Sequence, residues 1–461
     1  MSPSPPVNRR RFLGQLGLAA GALCLKGCGG GGSGGAAPPP RPKFFLGVGI
    51  ENTWMVQADP AIDGARRSLD EFALTGHDAQ WREDLERAAG LGINCIRYGM
   101  PWPRIEAAPG SFDFSALRER LAFLASLGIT PILDLIHYGT PAWMKDGIGD
   151  PLFPEAFERY ARETARAVGD LVTHFTPYNE PQVATALCGA VGTWPPYASG
   201  QAAFATIGVR VARAMVLASA GLRAVLPACK LVSAESVNWA LADELLPGFA
   251  GQGAEAEDMR AAIGSFPASL AYGKVAPEHG FGAGLASLGA SRPELAWIHG
   301  QAQAPDIVGY NHYPDLVDYA AFPDFTRGGS GPVEVAADEA ARRVEQGLRR
   351  ARAYFGRDIF LSETSAGLGH EARAAYASAL GRMAARLRAE GFPLAGLNWW
   401  PLLQAVRWEY REESSRPLGD FLAPGGWNNG LYDVVAEPDG RLRRVPTPAI
   451  AAFRSLSQVL P

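Results

Sequence analysis

Cysteine is scarce in this chain, and what there is forms no motif. The five are Cys24, Cys28, Cys95, Cys188 and Cys229. The last three show no CxxC spacing, leave room for at most one disulfide, and read as buried thiols. The seven histidines form no zinc pattern and no HExxH. Gly47-Val48-Gly49 lacks the third glycine and the helix start of a dinucleotide loop. Positive charge is not in excess either: 43 Lys+Arg stand against 47 Asp+Glu, a net of -4. A nucleic-acid binder would show a basic face. No metal, no organic cofactor and no nucleic-acid partner are therefore expected.

The first residues read as an address. Asn8-Arg9-Arg10-Arg11-Phe12-Leu13 has the form of a twin-arginine export signal. The apolar stretch Leu13 to Leu25 is too short to remain as a membrane-spanning helix. Leu25-Lys26-Gly27-Cys28 resembles a bacterial lipoprotein box, which would put a lipid anchor on Cys28; plain cleavage nearby is the alternative. Residues 29–42 are glycine-rich and then proline-rich, a tether. The expected organisation is a signal over 1–28, a tether over 29–42 and one domain over 43–461. The destination is the periplasm or a membrane-anchored site in a bacterium. Without residues 1–27 the chain keeps 39 basic and 47 acidic side chains, so the mature body is acidic.

What is present after the tether is an alternation. Apolar, strand-like runs occur at 44–50, 94–98, 130–136, 174–178, 230–234, 306–310, 358–361 and 394–399. Helical spacing follows each, as at Trp81, Leu85, Ala88 and Ala89. Runs that look buried on both faces, alternating with amphipathic helices, argue for a parallel sheet with crossovers. Eight such units predict an α/β fold, a (β/α)8 TIM barrel in a single domain. A doubly wound open sheet is the alternative.

The ends of these runs collect chemistry: Glu51 and Asn52, Arg97, His137 and Tyr138, Asn179 and Glu180, Glu235, Asn311 to Tyr313, Glu363, and Trp399 with Trp400. In a barrel they form one ring facing one pocket. Any single member reads equally well as a cap or a satisfied core group, but the whole ring does not. Two members, Asn179-Glu180-Pro181 and Ser362-Glu363-Thr364, offer paired carboxylates, which glycoside cleavage needs as acid/base and as nucleophile or base.

These residues resemble glycoside hydrolase family 1, the β-glucosidase-like family within the clan of retaining barrel glycosidases. The resemblance runs through Trp81-Arg82-Glu83-Asp84, Ile96-Arg97-Tyr98, Trp102-Pro103-Arg104-Ile105, Ile136-His137-Tyr138, Asn179-Glu180-Pro181, Asn311-His312-Tyr313 and Trp400-Pro401-Leu402-Leu403. It implies a retaining β-glycosidase acting on an oligosaccharide or glycoside, with Glu180 as acid/base and Glu363 as nucleophile. It also implies that Arg97 keeps Glu363 ionised, Tyr313 orients Glu363, Asn179 binds the sugar 2-hydroxyl and His137 a neighbouring one. Asn311, Trp400, Arg407 and Trp408 complete the expected substrate site.

Three departures stand out. Arg407-Trp408 occupies the place of a Glu-Trp pair; either Glu409 substitutes or Arg407 meets a carboxylate-bearing or otherwise unusual sugar. Glu51 or Asn52 stands where the family has a first-strand glutamine. Thr364-Ser365-Ala366-Gly367 follows Glu363 where Asn-Gly is usual. The alternatives are an endo-acting or transglycosylating relative, a non-catalytic carbohydrate-binding lipoprotein, and a redox enzyme suggested by the export route.

Overall fold

The computed structural model describes residues 43–55, 64–237, 253–314, 334–366, 369–422 and 429–460. The export signal, the tether and Gly367 lie outside them. The described residues belong to one unit, Ala36–Pro461.

Eight parallel strands close on themselves. They are Phe45–Gly49, Cys95–Gly99, Thr130–Asp134, His174–Thr176, a fifth in two pieces (Lys230–Leu231 and Glu235–Ser236), Ile307–Asn311, Asp358–Thr364 and Leu394–Trp399. The first pairs with both the second and the eighth. The two pieces of the fifth pair with the fourth and the sixth respectively. Single bridges at Asn179–Ala234 and Val232–Ile307 continue that strand across its break. Among the described residues the ring thus closes, each of the eight strands having a neighbour on both sides. A continuous fifth strand was expected at 230–234. The sequence could not show that its middle would pair alternately with one neighbour and then the other.

Inside the barrel, Phe45, Cys95, Ile132, Val232, Ile307 and Phe360 pack into an apolar plug. Truncating one of them, as in Ile132→Ala, should cost about 2–5 kcal/mol through lost burial and the cavity left behind. Outside, Phe153–Val168 turns a continuous apolar stripe inward: Phe153, Phe157, Tyr160, Ala161, Thr164 and Val168 are all buried. It packs against Gln201–Val225. That helix is long and apolar enough to cross a membrane, but most of it is buried. The three cysteines of the barrel are free and buried.

Among the described residues there are also three antiparallel strand pairs not read from the sequence: Trp54–Met55 with Leu69–Asp70, Glu106–Ala108 with Ser111–Phe112, and Tyr432–Ala436 with Leu442–Pro446.

Candidate active site

The strand ends put the site together. The fourth strand ends at Thr176, with a single further bridge at Asn179, and a short helix, Pro181–Thr185, begins with proline in its first turn. Glu180, just before it, takes a left-handed backbone with φ 44. Its backbone N–H donates to Ala234 O on the fifth strand, at 2.8 Å. Glu363 sits in the seventh strand, in register with Asn311 of the sixth. Both carboxylates are buried.

One guanidinium organises the floor. Arg97, fully buried, donates to Glu363 Oε1 at 2.6 Å, to Asp134 Oδ2 at 2.7 Å and to Asn179 Oδ1 at 2.8 Å. Asn311 Nδ2 then donates to Glu180 Oε1 at 3.0 Å and lies 3.4 Å from Asn179 Oδ1. An unbroken chain of hydrogen bonds therefore runs from Glu363 through Arg97, Asn179 and Asn311 to Glu180. Tyr313 donates to Glu363 Oε2 at 2.5 Å, and Ser362 Oγ donates to Asn311 Oδ1 at 2.6 Å.

His137 Nε2 lies 3.1 Å from the Asn179 amide nitrogen and 3.3 Å from Glu51 Oε1. Its ring stacks on Trp400, with centroids 5.2 Å apart and planes 5° from parallel. Trp400 Nε1 donates to Glu51 Oε2 at 3.0 Å. The indole can lie this low only because residue 49 is glycine: a Cβ there would sit 1.9 Å from the Trp400 ring. Trp408 is half-buried, 5.0 Å from Trp194 and 5.5 Å from Tyr138.

The electrostatics separate the two carboxylates. Burial raises Glu363 most; the Arg97 guanidinium pulls it back and the Glu180 carboxylate pushes it further, leaving it at about 7. Arg97 does contact Glu363 as expected, but it does not hold that acid below its ordinary value, because it is shared with Asp134 and water is excluded. Burial raises Glu180 as well, against its hydrogen bonds to Tyr138 and Asn311. The two titrate as a pair. Within that pair Glu363 has the ion pair to Arg97, while the direct hydrogen-bond partners of Glu180, Tyr138 and Asn311, are neutral. Burial opposes charge on His137, but Glu51, Asp134 and Glu363 outweigh it and keep its pKa above the usual value.

Arg407 stands beside the short helix Gly419–Leu422. Its Nη2 donates to Asp420 O at 2.7 Å and its guanidinium lies 5.8 Å from the Phe421 ring centroid. Glu409 is exposed. The carboxylate that meets the Trp400 indole is instead Glu51, at the end of the first strand. Sequence reasoning placed Glu51 in the ring but gave it no role, and it missed Asp134 altogether. The clue for Asp134 was its position as an acid at the end of an apolar strand. Tyr138 was seen as a strand-end aromatic, but its hydrogen bond to Glu180 Oε2 was not foreseen.

The chain resembles known proteins in part of its sequence and in its fold. Residues 64–241 match glycosyl hydrolase family 1. Coniferin beta-glucosidase of Pinus contorta is 32% identical over 124 residues, 25% of this chain and 24% of the pine protein. Beta-glucosidase A of Thermotoga maritima is 26% identical over 176 residues, 34% of this chain and 40% of that protein. The chain thus matches less than half the length of these relatives, and Glu363 lies beyond the residues matched by the family. Solved structures extend the likeness in fold. The family 1 β-glucosidase from Thermotoga maritima superposes with a TM-score of 0.64 at 18% identity, covering 92% of this chain and 98% of that one. Its complex with azafagomine gives 0.66 at 18% identity, covering 91% and 98%. In sequence across the first half of its barrel, and in fold across nine-tenths of its length, the chain is glycosyl hydrolase family 1-like.

Proposed function

We propose that the protein is an exo-acting retaining β-glycosidase, with Glu180 as acid/base and Glu363 as nucleophile. The observation that carries this reading is the hydrogen-bond chain joining two buried carboxylates of different character, one ion-paired and one not. In the first step Glu363 attacks the anomeric carbon while the glycosidic bond breaks, and Glu180 gives its proton to the departing oxygen. Esterification removes the Glu363 charge, so the Glu180 carboxylate then accepts a proton from water. That water attacks the anomeric carbon, the glycosyl ester breaks, and both acids return to their starting forms.

In this reading Arg97 and Tyr313 hold the nucleophile. Asn179 and His137 bind sugar hydroxyls, Asn311 steadies the acid/base, and Trp400 and Trp408 supply aromatic surface. The substrate is a glycoside or oligosaccharide. A fluorinated β-glycoside with a good leaving group should label Glu363, detected by mass spectrometry of a peptide covering 359–368. No label with any sugar of a panel, together with unchanged glycan binding by Glu363→Gln, would overturn the enzyme reading.

The same proposal takes residues 1–28 as a twin-arginine signal, 29–42 as a tether and Cys28 as a lipid attachment point. The support is the Asn8–Leu13 and Leu25–Cys28 patterns. Incorporation of labelled palmitate by the wild type and not by Cys28→Ala tests the anchor.

A further inference from the structure

Each oxygen of the Glu180 carboxyl meets one protein group, and the two groups differ in what they can do. Oε1 faces the Asn311 amide nitrogen, whose orientation is fixed because Ser362 Oγ donates to the other end of that amide. An amide N–H only donates, so a proton on Oε1 has no acceptor there. Oε2 faces the Tyr138 hydroxyl. A phenol donates to a carboxylate and accepts from a carboxylic acid, so it can follow both forms.

The backbone holds Tyr138 in this place by force of packing. Its φ is 77, a left-handed conformation that is unfavourable for a bulky residue. The next residue is pinned: a Cβ on Gly139 would lie 1.9 Å from Trp54 O. The phenol ring is boxed by Trp194 at 5.2 Å, Trp408 at 5.5 Å and His137 at 4.9 Å. A strained residue kept by its surroundings, with its polar end on a reacting group, points to function rather than to filling space.

We propose that Tyr138 is a positioning residue for the acid/base: it holds Glu180 through Oε2, the oxygen that carries the exchangeable proton, and favours the ionised form. The inference rests on the glycosidase reading of the same site. Other groups also act on Glu180. His137 of the third strand and Arg97 of the second favour its charge. Glu363 of the seventh strand and Glu235 of the fifth oppose it. Tyr313, beyond the sixth, faces both carboxylates. None of these is altered by removing one phenol oxygen, so Tyr138→Phe isolates the bond.

The experiment follows the Glu180 carboxyl by carbon-13 NMR in side-chain-labelled protein, the signal being assigned by its loss in Glu180→Gln. Tyr138→Phe should raise the titration midpoint by about one pH unit, since the carboxylate loses a donor. The alkaline limb of kcat/KM for an aryl β-glycoside should move up with it. Trp194→Phe, which disturbs the aromatic box and keeps the phenol, should move neither. A Tyr138→Phe midpoint coincident with wild type, or an equal shift in Trp194→Phe, overturns the proposal. If the wild type cleaves no glycoside the functional reading fails, and the NMR titration still decides the role of Tyr138.

Discussion

Two buried networks in this molecule use the same side-chain types to opposite ends. One lies between the helix His77–Ala89 and the C-terminal hairpin. There Asp84 accepts from Arg444 at 2.9 and 2.8 Å, from His77 Nδ1 at 3.0 Å and from Arg87 at 3.1 Å. His77 Nε2 in turn meets Tyr98 OH at 3.1 Å, and Arg120 donates to that hydroxyl at 3.1 Å. The other is the candidate active site, where one guanidinium, Arg97, serves both Asp134 and Glu363 while Glu51, Glu180 and Glu235 stand near. In the first network, burial works to raise Asp84, but Arg444 and His77 outweigh it and hold the acid below its ordinary range. In the second, burial wins and both Glu180 and Glu363 rise. The first is satisfied throughout. The second leaves Asn52 Oδ1 buried without a hydrogen bond among the described residues, and His137 Nδ1 only a long contact, 3.5 Å, to Asp134 Oδ2. A clamp saturates its charges, whereas a reacting site keeps a surplus of one sign and polar atoms in reserve.

The sharpest way to separate the two is to remove a charge from each. Glu363→Gln should lower kcat on aryl glycosides by on the order of 10⁴-fold or more, as expected for loss of a nucleophile. Its melting temperature at pH 8 should not fall, because a buried carboxylate held partly ionised against its preference is gone. Arg444→Met should do the reverse. It strands Asp84 in the interior, and about 3–5 kcal/mol of unfolding free energy should be lost, read by urea denaturation. The kcat of the molecules that remain folded should be close to wild type. A large kcat loss in a stably folded Arg444→Met protein would erase the distinction between clamp and site.

Glu235 offers a finer test. Burial raises it to about 8, with Tyr272 OH donating to it at 2.5 Å and Glu180 pushing in the same direction as burial. An acid whose pKa is raised on folding binds its proton more tightly in the native state. Its contribution to stability is therefore fully present below about pH 4.5 and is lost as pH rises through about 8. Glu235→Gln keeps an oxygen for Tyr272 and removes the titration. Wild type should lose on the order of a few kcal/mol across that window relative to the variant. Parallel stability curves for the two proteins would place Glu235 with the saturated clamp instead.

Most of the barrel could be read from the sequence because its strands are buried on both faces and bounded by turns; Leu394–Trp399 was placed to the residue. The candidate pair Glu180 and Glu363 could be picked out for the same reason, since each follows an apolar run by two positions, where a strand is ending. What could not be read were partnerships between distant residues. Asp84 belongs to a recognisable motif, yet its strongest partner is 360 positions away. The hairpin strands Trp54–Met55 and Leu69–Asp70 have two residues each, too short for any alternation to show. Tyr138 owes its role to a positive φ and to a glycine pinned by Trp54, neither of which has a periodic signature.

Arg407 is where resemblance and geometry diverge most, and it carries the smallest expected effect. The aligned position put it toward the sugar. Here its guanidinium caps Asp420 O and lies by Phe421, on a side chain still partly exposed. A hydrogen bond of that kind at a half-buried site contributes about 0.5–1.5 kcal/mol. Arg407→Ala should therefore lower stability by no more than that. Its kcat/KM should stay within about threefold of wild type, well under the tenfold that 1.4 kcal/mol would bring. The decisive comparison is between a neutral β-glycoside and the matching uronic acid. If Arg407 faces the substrate, alanine should erase a preference for the acid by tenfold or more. If it serves only the Gly419–Leu422 helix, both substrates should change by the same small factor.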